Sequence, residues 1–326
     1  MPKAKLFITH PLYPDARTLL QSCCDCEFWS KPERPSREEL FNRVKDKEGL
    51  VCLLTERIAD DLLRAAPKLR LVANVAVGYD NVDVPACTKR KVVVTNTPGV
   101  LDETTADFAW ALMMAVARRV VEADQYVRAG NWQGWNFDQY CGTDVWGKTL
   151  GIVGFGRIGR AVARRAAGFG MKVIYNGKTR ASDEIEKEFH AEYRDLNVLL
   201  AEADFVTLHV PLNADTRQMF DAAKLSRMKA TAFLINTARG PIVDEAALVH
   251  ALESKKIAGA GLDVFEQEPF VHSGLKRANV VLAPHLGSAS NETRAKMAMV
   301  AAQNTIALFQ GQRPPNMLNP GAFKIT

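Results

Sequence analysis

Thr149-Leu150-Gly151-Ile152-Val153-Gly154-Phe155-Gly156-Arg157-Ile158-Gly159 is the stretch that decides the fold. An apolar strand pattern, Thr149–Val153, runs into G-x-G-x-x-G, and a helix-period segment, Arg157–Gly168, follows. Strand, glycine turn and helix in that order are the context in which this motif cradles a dinucleotide. Gly154 permits the tight turn, Gly156 lets a pyrophosphate approach the backbone, and Gly159 lets the helix pack on the strand. Free amides at the helix start then hold phosphates. The predicted cofactor contacts here are Gly154, Phe155, Gly156, Arg157, Ile158 and Gly159.

The next strand bears on which dinucleotide. An NAD site usually ends this strand with Asp or Glu, bonded to the ribose 2′-hydroxyl. This chain reads Val173-Ile174-Tyr175-Asn176-Gly177-Lys178-Thr179-Arg180, with no carboxylate and two cations. Asn176, Gly177, Lys178, Thr179 and Arg180 are therefore expected to receive the 2′-phosphate of NADP, with NADPH preferred and NADH still usable. The alternative is a solvated basic turn.

Further along, apolar runs at Asp204–His209, Ala232–Asn236, Gly259–Val264 and Val280–Ala283 alternate with helical segments, up to a last helix at about Glu292–Gln310. With 150–153 and 172–175 they make six strands, a doubly wound parallel sheet. Upstream, runs at Leu6–Thr9, Leu50–Leu54, Leu71–Ala76 and Val92–Thr95 alternate with helices near Ala16–Ser22, Arg37–Lys45 and Ala59–Ala66, so a second α/β sheet is expected there. Between them Glu103–Arg128 reads as one long helix stopped by Gly130. The loop Asn131–Gly147 carries Trp132, Trp135, Phe137, Tyr140 and Trp146. A loop of this length is usually functional or an interface; the other reading is aromatic packing on its own domain. The tail Pro314-Pro315-Asn316-Met317 looks extended.

Composition narrows the class. A chain of 326 residues suits two domains. Its 47% apolar and 24% charged residues exclude disorder. The apolar run Ala109–Ala117, preceded by Phe108, falls well short of the ~20 residues of a membrane span. The start of the chain has no signal-peptide pattern, so a cytoplasmic location is expected. The net charge of +5 is dispersed, which fits an anionic small molecule better than nucleic acid. Six cysteines without a C-x-x-C pair read as reduced thiols, and neither they nor the histidines show metal-ligand spacing.

Three charged residues stand just beyond late strands: Arg239, Glu268 and His285. In a parallel sheet all C-terminal ends share one edge, and open α/β sheets bind ligands there. Arg can grip a carboxylate with two parallel hydrogen bonds. His can exchange a proton near neutrality, and a carboxylate beside it favours its protonated form. The set suits reduction of a 2-keto acid.

At these residues the chain resembles the D-2-hydroxyacid dehydrogenase family along nearly its whole length. The resemblance is carried by Val77-Gly78-Tyr79-Asp80-Asn81-Val82-Asp83, Asn96-Thr97-Pro98-Gly99-Val100, Gly154–Gly159, Asn236-Thr237-Ala238-Arg239-Gly240, Gly261–Pro269 and Pro284-His285-Leu286-Gly287-Ser288. It implies two doubly wound domains: a Rossmann cofactor domain, 101–287, inserted into a flavodoxin-like substrate domain, 1–100 with 288–326, and an active site in the cleft. It implies that Arg239 orients the substrate carboxylate, Glu268 pairs with His285, and His285 is the acid/base. Further cofactor contacts implied are Thr105, Val210, Pro211, Thr216, Thr237, Ala238, Asp263 and Gly287. Leu54, Val77, Gly78 and Ser288 are implied beside the substrate. Members are usually homodimers built on the long helix and the loop after it, where Trp135 or Tyr140 reaches the partner's site. Within the family the chain most resembles glyoxylate/hydroxypyruvate reductases. Phosphite dehydrogenase is a competing relative, but it has a Lys where this chain has Val77. A cofactor-sensing corepressor of the same fold is the non-enzymatic alternative; the complete Arg, Glu and His set argues against it.

Overall fold

The computed structural model describes residues 3–323. The chain forms two compact units. One takes the chain up to Leu101 and again from Ala289 onward; the other is Asp102–Ser288.

The first unit holds β1 (Ala4–Ile8), β2 (Cys24–Phe28), β3 (Gly49–Cys52), β4 (Leu71–Asn74) and β5 (Val93–Thr95). All pair in parallel, in the order β2-β1-β3-β4-β5. That is the flavodoxin-like order. The central strands are buried on both faces, as parallel strands covered by helices must be. The last long helix, Asn291–Phe309, packs on the helix Pro14–Cys23 and on β4. The tail then runs beside β5: Met317 pairs antiparallel with Thr95, and Asn319 Oδ1 accepts the Val94 amide at 2.8 Å.

The second unit holds β6 (Thr149–Val153), β7 (Lys172–Asn176), β8 (Ala191–Tyr193), β9 (Phe205–Leu208), β10 (Phe233–Asn236), β11 (Gly259–Leu262) and β12 (Val280–Leu282). Their order is β12-β11-β10-β9-β6-β7-β8, all parallel. The strand order reverses between β6 and β9, the switch point at which doubly wound sheets bind ligands. One core layer gathers Leu199, Val206, Leu234 and Leu248; the other gathers Trp110, Met113, Val162, Tyr175 and Ile235.

Three expectations need correction. The stretch 103–128 is not one helix. It breaks into Asp102–Ala117 and Val120–Arg128, with Arg119 left-handed at φ 54°. The aromatic loop crosses the break: the Thr143 amide takes the Ala117 carbonyl at 2.8 Å, and Gly142 lies so close that a Cβ would stand 2.4 Å from that oxygen. Arg119 meanwhile bonds Glu122 and covers the Tyr140 ring. Two strands, β2 and β8, are absent from the sequence reading. Both are sheet edges with charged residues, so their apolar signal is weak. The loop aromatics do not pack as a group on their own unit: Trp135 is 82% and Phe137 84% exposed, although Tyr140 lies against Tyr126 with the rings tilted at 60°.

Candidate active site

The glycine turn is built as its residues require. Gly154 has φ +100°, and a Cβ on it would stand 2.6 Å from the His209 carbonyl carbon, where the loops after β6 and β9 meet. A Cβ on Gly159 would meet the Gly154 oxygen at 2.2 Å. Around Gly156 the space is open. Tight packing on two sides of an open position is a cradle for a phosphate beside the first amides of the helix Arg157–Ala166. Arg157 is exposed and Ile158 half-buried there, while Phe155 is buried and stacks on Tyr175 at 4.1 Å.

Past β7, Asn176 Nδ2 donates to the Arg194 carbonyl at 2.9 Å, and Lys178, Thr179 and Arg180 are exposed. After β9, Val210 is half-buried, and Thr216 Oγ1 donates to the Pro211 carbonyl at 2.6 Å, closing a turn. Thr237, just past β10, is buried with its hydroxyl unpartnered among the described residues. An open Gly156 and an orphaned Thr237 hydroxyl at the same sheet edge fit a bound dinucleotide.

The charged set lies on that edge. His285 Nδ1 and Glu268 Oε2 are 3.0 Å apart. The other Glu268 oxygen accepts the Phe265 amide at 3.2 Å. Burial alone would raise the Glu268 carboxyl. The hydrogen bond and charge of His285, the Phe265 amide and the charge of Arg239 together bring it below the ordinary value. Arg239 thus belongs to the same electrostatic cluster. Its backbone is set by Asn236, whose Nδ2 donates to the Arg239 carbonyl and whose Oδ1 accepts the Ala238 amide, both at 3.0 Å.

Asp263 underpins the histidine. His285, at φ 57°, donates its amide to the Asp263 carbonyl at 2.8 Å. The Asp263 carboxylate accepts the Leu286 and Gly287 amides at 2.6 and 2.7 Å. Burial nevertheless pushes its pKa up to about 6. A Cβ on Gly287 would touch both Asp263 and Thr105, so these three predicted cofactor residues lie together. Ser288 is the last residue of this unit.

In the first unit, Leu54 lies half-buried in the loop after β3. Asn96 Nδ2 takes the Val77 carbonyl at 2.9 Å and Asn74 Nδ2 the Gly78 carbonyl at 2.8 Å. The Val77 and Gly78 amides have no acceptor among the described residues, a pair of donors suited to an anion. Sequence reading missed these supporting asparagines. The available signal was an Asn closing an apolar strand, Leu71-Val72-Ala73-Asn74 and Phe233-Leu234-Ile235-Asn236.

Comparison with known proteins agrees with this architecture. Residues 110–287 match the NAD-binding domain model of the D-isomer specific 2-hydroxyacid dehydrogenases. A glyoxylate reductase of Korarchaeum cryptofilum is 52% identical, over 99% of this chain and 98% of its own. A Thermus thermophilus crystal structure superimposes with TM-score 0.89 at 41% identity, over 96% of this chain and 99% of its own. An NADPH-dependent glyoxylate/hydroxypyruvate reductase of Sinorhizobium meliloti, solved with NADP and malonate, gives TM-score 0.87 at 33% identity, over 99% and 98%. With a match of this extent, the chain belongs to the D-isomer specific 2-hydroxyacid dehydrogenases, NAD(P)-dependent oxidoreductases that interconvert 2-keto and 2-hydroxy acids.

Proposed function

We propose that this enzyme reduces small 2-keto acids, glyoxylate and hydroxypyruvate first among them, with NADPH as the preferred coenzyme and His285 as the proton donor. The observation that carries the reading is the 3.0 Å pair of His285 and Glu268, with Arg239 close enough to act on the same carboxylate. The names of the Korarchaeum and Sinorhizobium relatives supply the substrate class.

The nicotinamide, when bound, supplies a hydride to the ketone carbon. The chain does the rest. Arg239 grips the substrate carboxylate and so orients the neighbouring carbonyl. With Nδ1 committed to Glu268, His285 offers Nε2 to the carbonyl oxygen and gives it a proton. Glu268 stays ionised and fixes the ring through Nδ1. Gly154–Gly159, Thr105, Thr237, Ala238 and Asp263 would hold the coenzyme, and Lys178 and Arg180 its 2′-phosphate.

The test is coenzyme oxidation, followed by absorbance, with a panel of keto acids. Glyoxylate and hydroxypyruvate should be reduced, and simple aldehydes lacking a carboxylate should be poor. Robust phosphite oxidation without keto-acid reduction would overturn the reading.

A further inference from the structure

The turn after β7 contains a carboxylate that its local sequence does not display. Arg180 Nε and Nη2 donate to the two oxygens of Glu186 at 2.9 and 2.7 Å. Glu186 lies six residues on, in the short helix Asp183–Glu188. It is anchored from below. Tyr175 Oη donates to Glu186 Oε1 at 2.6 Å and accepts the Ala181 amide at 2.9 Å. Tyr175 is wholly buried, and its ring stacks on Phe155 of the glycine turn. The Glu186 side chain is 13% exposed, against 61% for Arg180. The carboxylate is thus a built part of the turn, one guanidinium's width from anything Arg180 holds. Lys178 is exposed and has no ion pair among the described residues.

We propose that Glu186, held in place by Tyr175, limits the coenzyme preference: it cancels the charge of Arg180, opposes a 2′-phosphate, and leaves Lys178 as the main cation that favours NADPH. The proposal rests on the reading that this turn receives the adenosine ribose. The physics is a difference between two coenzymes. A phosphate group carries about −1.5 to −2 charges at neutral pH and must approach a guanidinium already shared with a carboxylate. A 2′-hydroxyl carries no charge and meets no such repulsion, so NADH remains usable.

The experiment measures the ratio of kcat/KM for NADPH to that for NADH at fixed glyoxylate, in low and high salt. It is run on wild type, Glu186→Gln, Arg180→Ala, the double variant and Lys178→Ala. Removing the charge that shares Arg180 should raise the ratio roughly 3- to 10-fold in Glu186→Gln, and the gain should shrink with salt. Arg180→Ala should lower the ratio less than about 3-fold in wild type but about 10-fold or more beside Glu186→Gln, because the carboxylate no longer competes. Glu186→Ala provides a second removal of the charge, and Kd values for NADP and NAD from fluorescence titration give a readout independent of turnover. A merely structural role would lower thermal stability without moving the ratio. An unchanged or lowered ratio in both Glu186 variants overturns the proposal. A wild type that prefers NADH, yet whose ratio rises in Glu186→Gln, would refute the NADPH reading and leave the role of Glu186 standing.

Discussion

Glu268 holds the His285 ring through Nδ1 at 3.0 Å, which leaves Nε2 to serve the carbonyl oxygen. Glu268→Gln keeps the shape and removes the charge, so kcat for reduction should fall while the Kd for the coenzyme holds. An unchanged kcat would show that the pair does not govern the donor. His285→Ala should lose about 10²- to 10⁴-fold in rate, the usual share of a general acid. Asp263 makes a second, thermodynamic prediction. Its folded pKa, about 6, lies above its ordinary value of 3.8. Its contribution to stability is thus full in acid below that ordinary value and is lost as pH rises through about 6. Denaturant midpoints measured between pH 4 and 7 should show this decline in wild type and lack it in Asp263→Asn.

At the scale of the element, two glycines of one turn should respond oppositely. Gly154→Ala meets both a positive φ and the His209 backbone at 2.6 Å, so it should destabilise the fold by about 1–3 kcal/mol. Gly156 has an extended backbone and open surroundings. Gly156→Ala should change stability by under about 0.5 kcal/mol, yet weaken coenzyme binding, because its Cβ enters the open space proposed for the pyrophosphate. Urea unfolding and coenzyme titration separate the two effects; equal loss of stability in both variants would contradict the cradle. The turn after β7 belongs to this scale too. Lys178→Ala should lower kcat/KM for NADPH more than for NADH, by roughly 10- to 150-fold if one charged hydrogen bond is lost. High salt should narrow the gap.

For the whole molecule, the exposed apolar surface sets the expectation. The helix Val120–Arg128 buries none of its residues, and Val120, Val127, Trp132, Trp135, Phe137 and Trp146 are all exposed. Several large apolar side chains left exposed on one helix and the loop after it commonly mark an interface. A homodimer is proposed, with a sedimentation mass twice the 36.0 kDa of one chain. Trp135→Ala combined with Phe137→Ala should shift it toward monomer. A wild type sedimenting as a single chain at micromolar concentration would dismiss the proposal. No helix among the described residues is long and apolar enough to cross a membrane.

The sequence by itself determined the class of fold and the family. Parallel strands buried on both faces read as apolar runs, and the glycine motif is local, so both survive without three-dimensional information. That Arg239, Glu268 and His285 share one sheet edge was legible because each stands a few residues beyond such a run. Tertiary structure decided what depends on contacts between distant segments. The edge strands β2 and β8 gain their pairing from a neighbour rather than from an apolar pattern. The helix break at Arg119 is imposed by a loop more than twenty residues downstream, through Gly142 and Thr143. Local propensity cannot register that, since Ala117 to Val120 reads as good helix. The same holds at the coenzyme turn, where the local run from Val173 to Arg180 contains no carboxylate and the folded turn contains Glu186. Charge is a property of the assembled surface, and only the fold places an acid from the next helix against a cation of the turn.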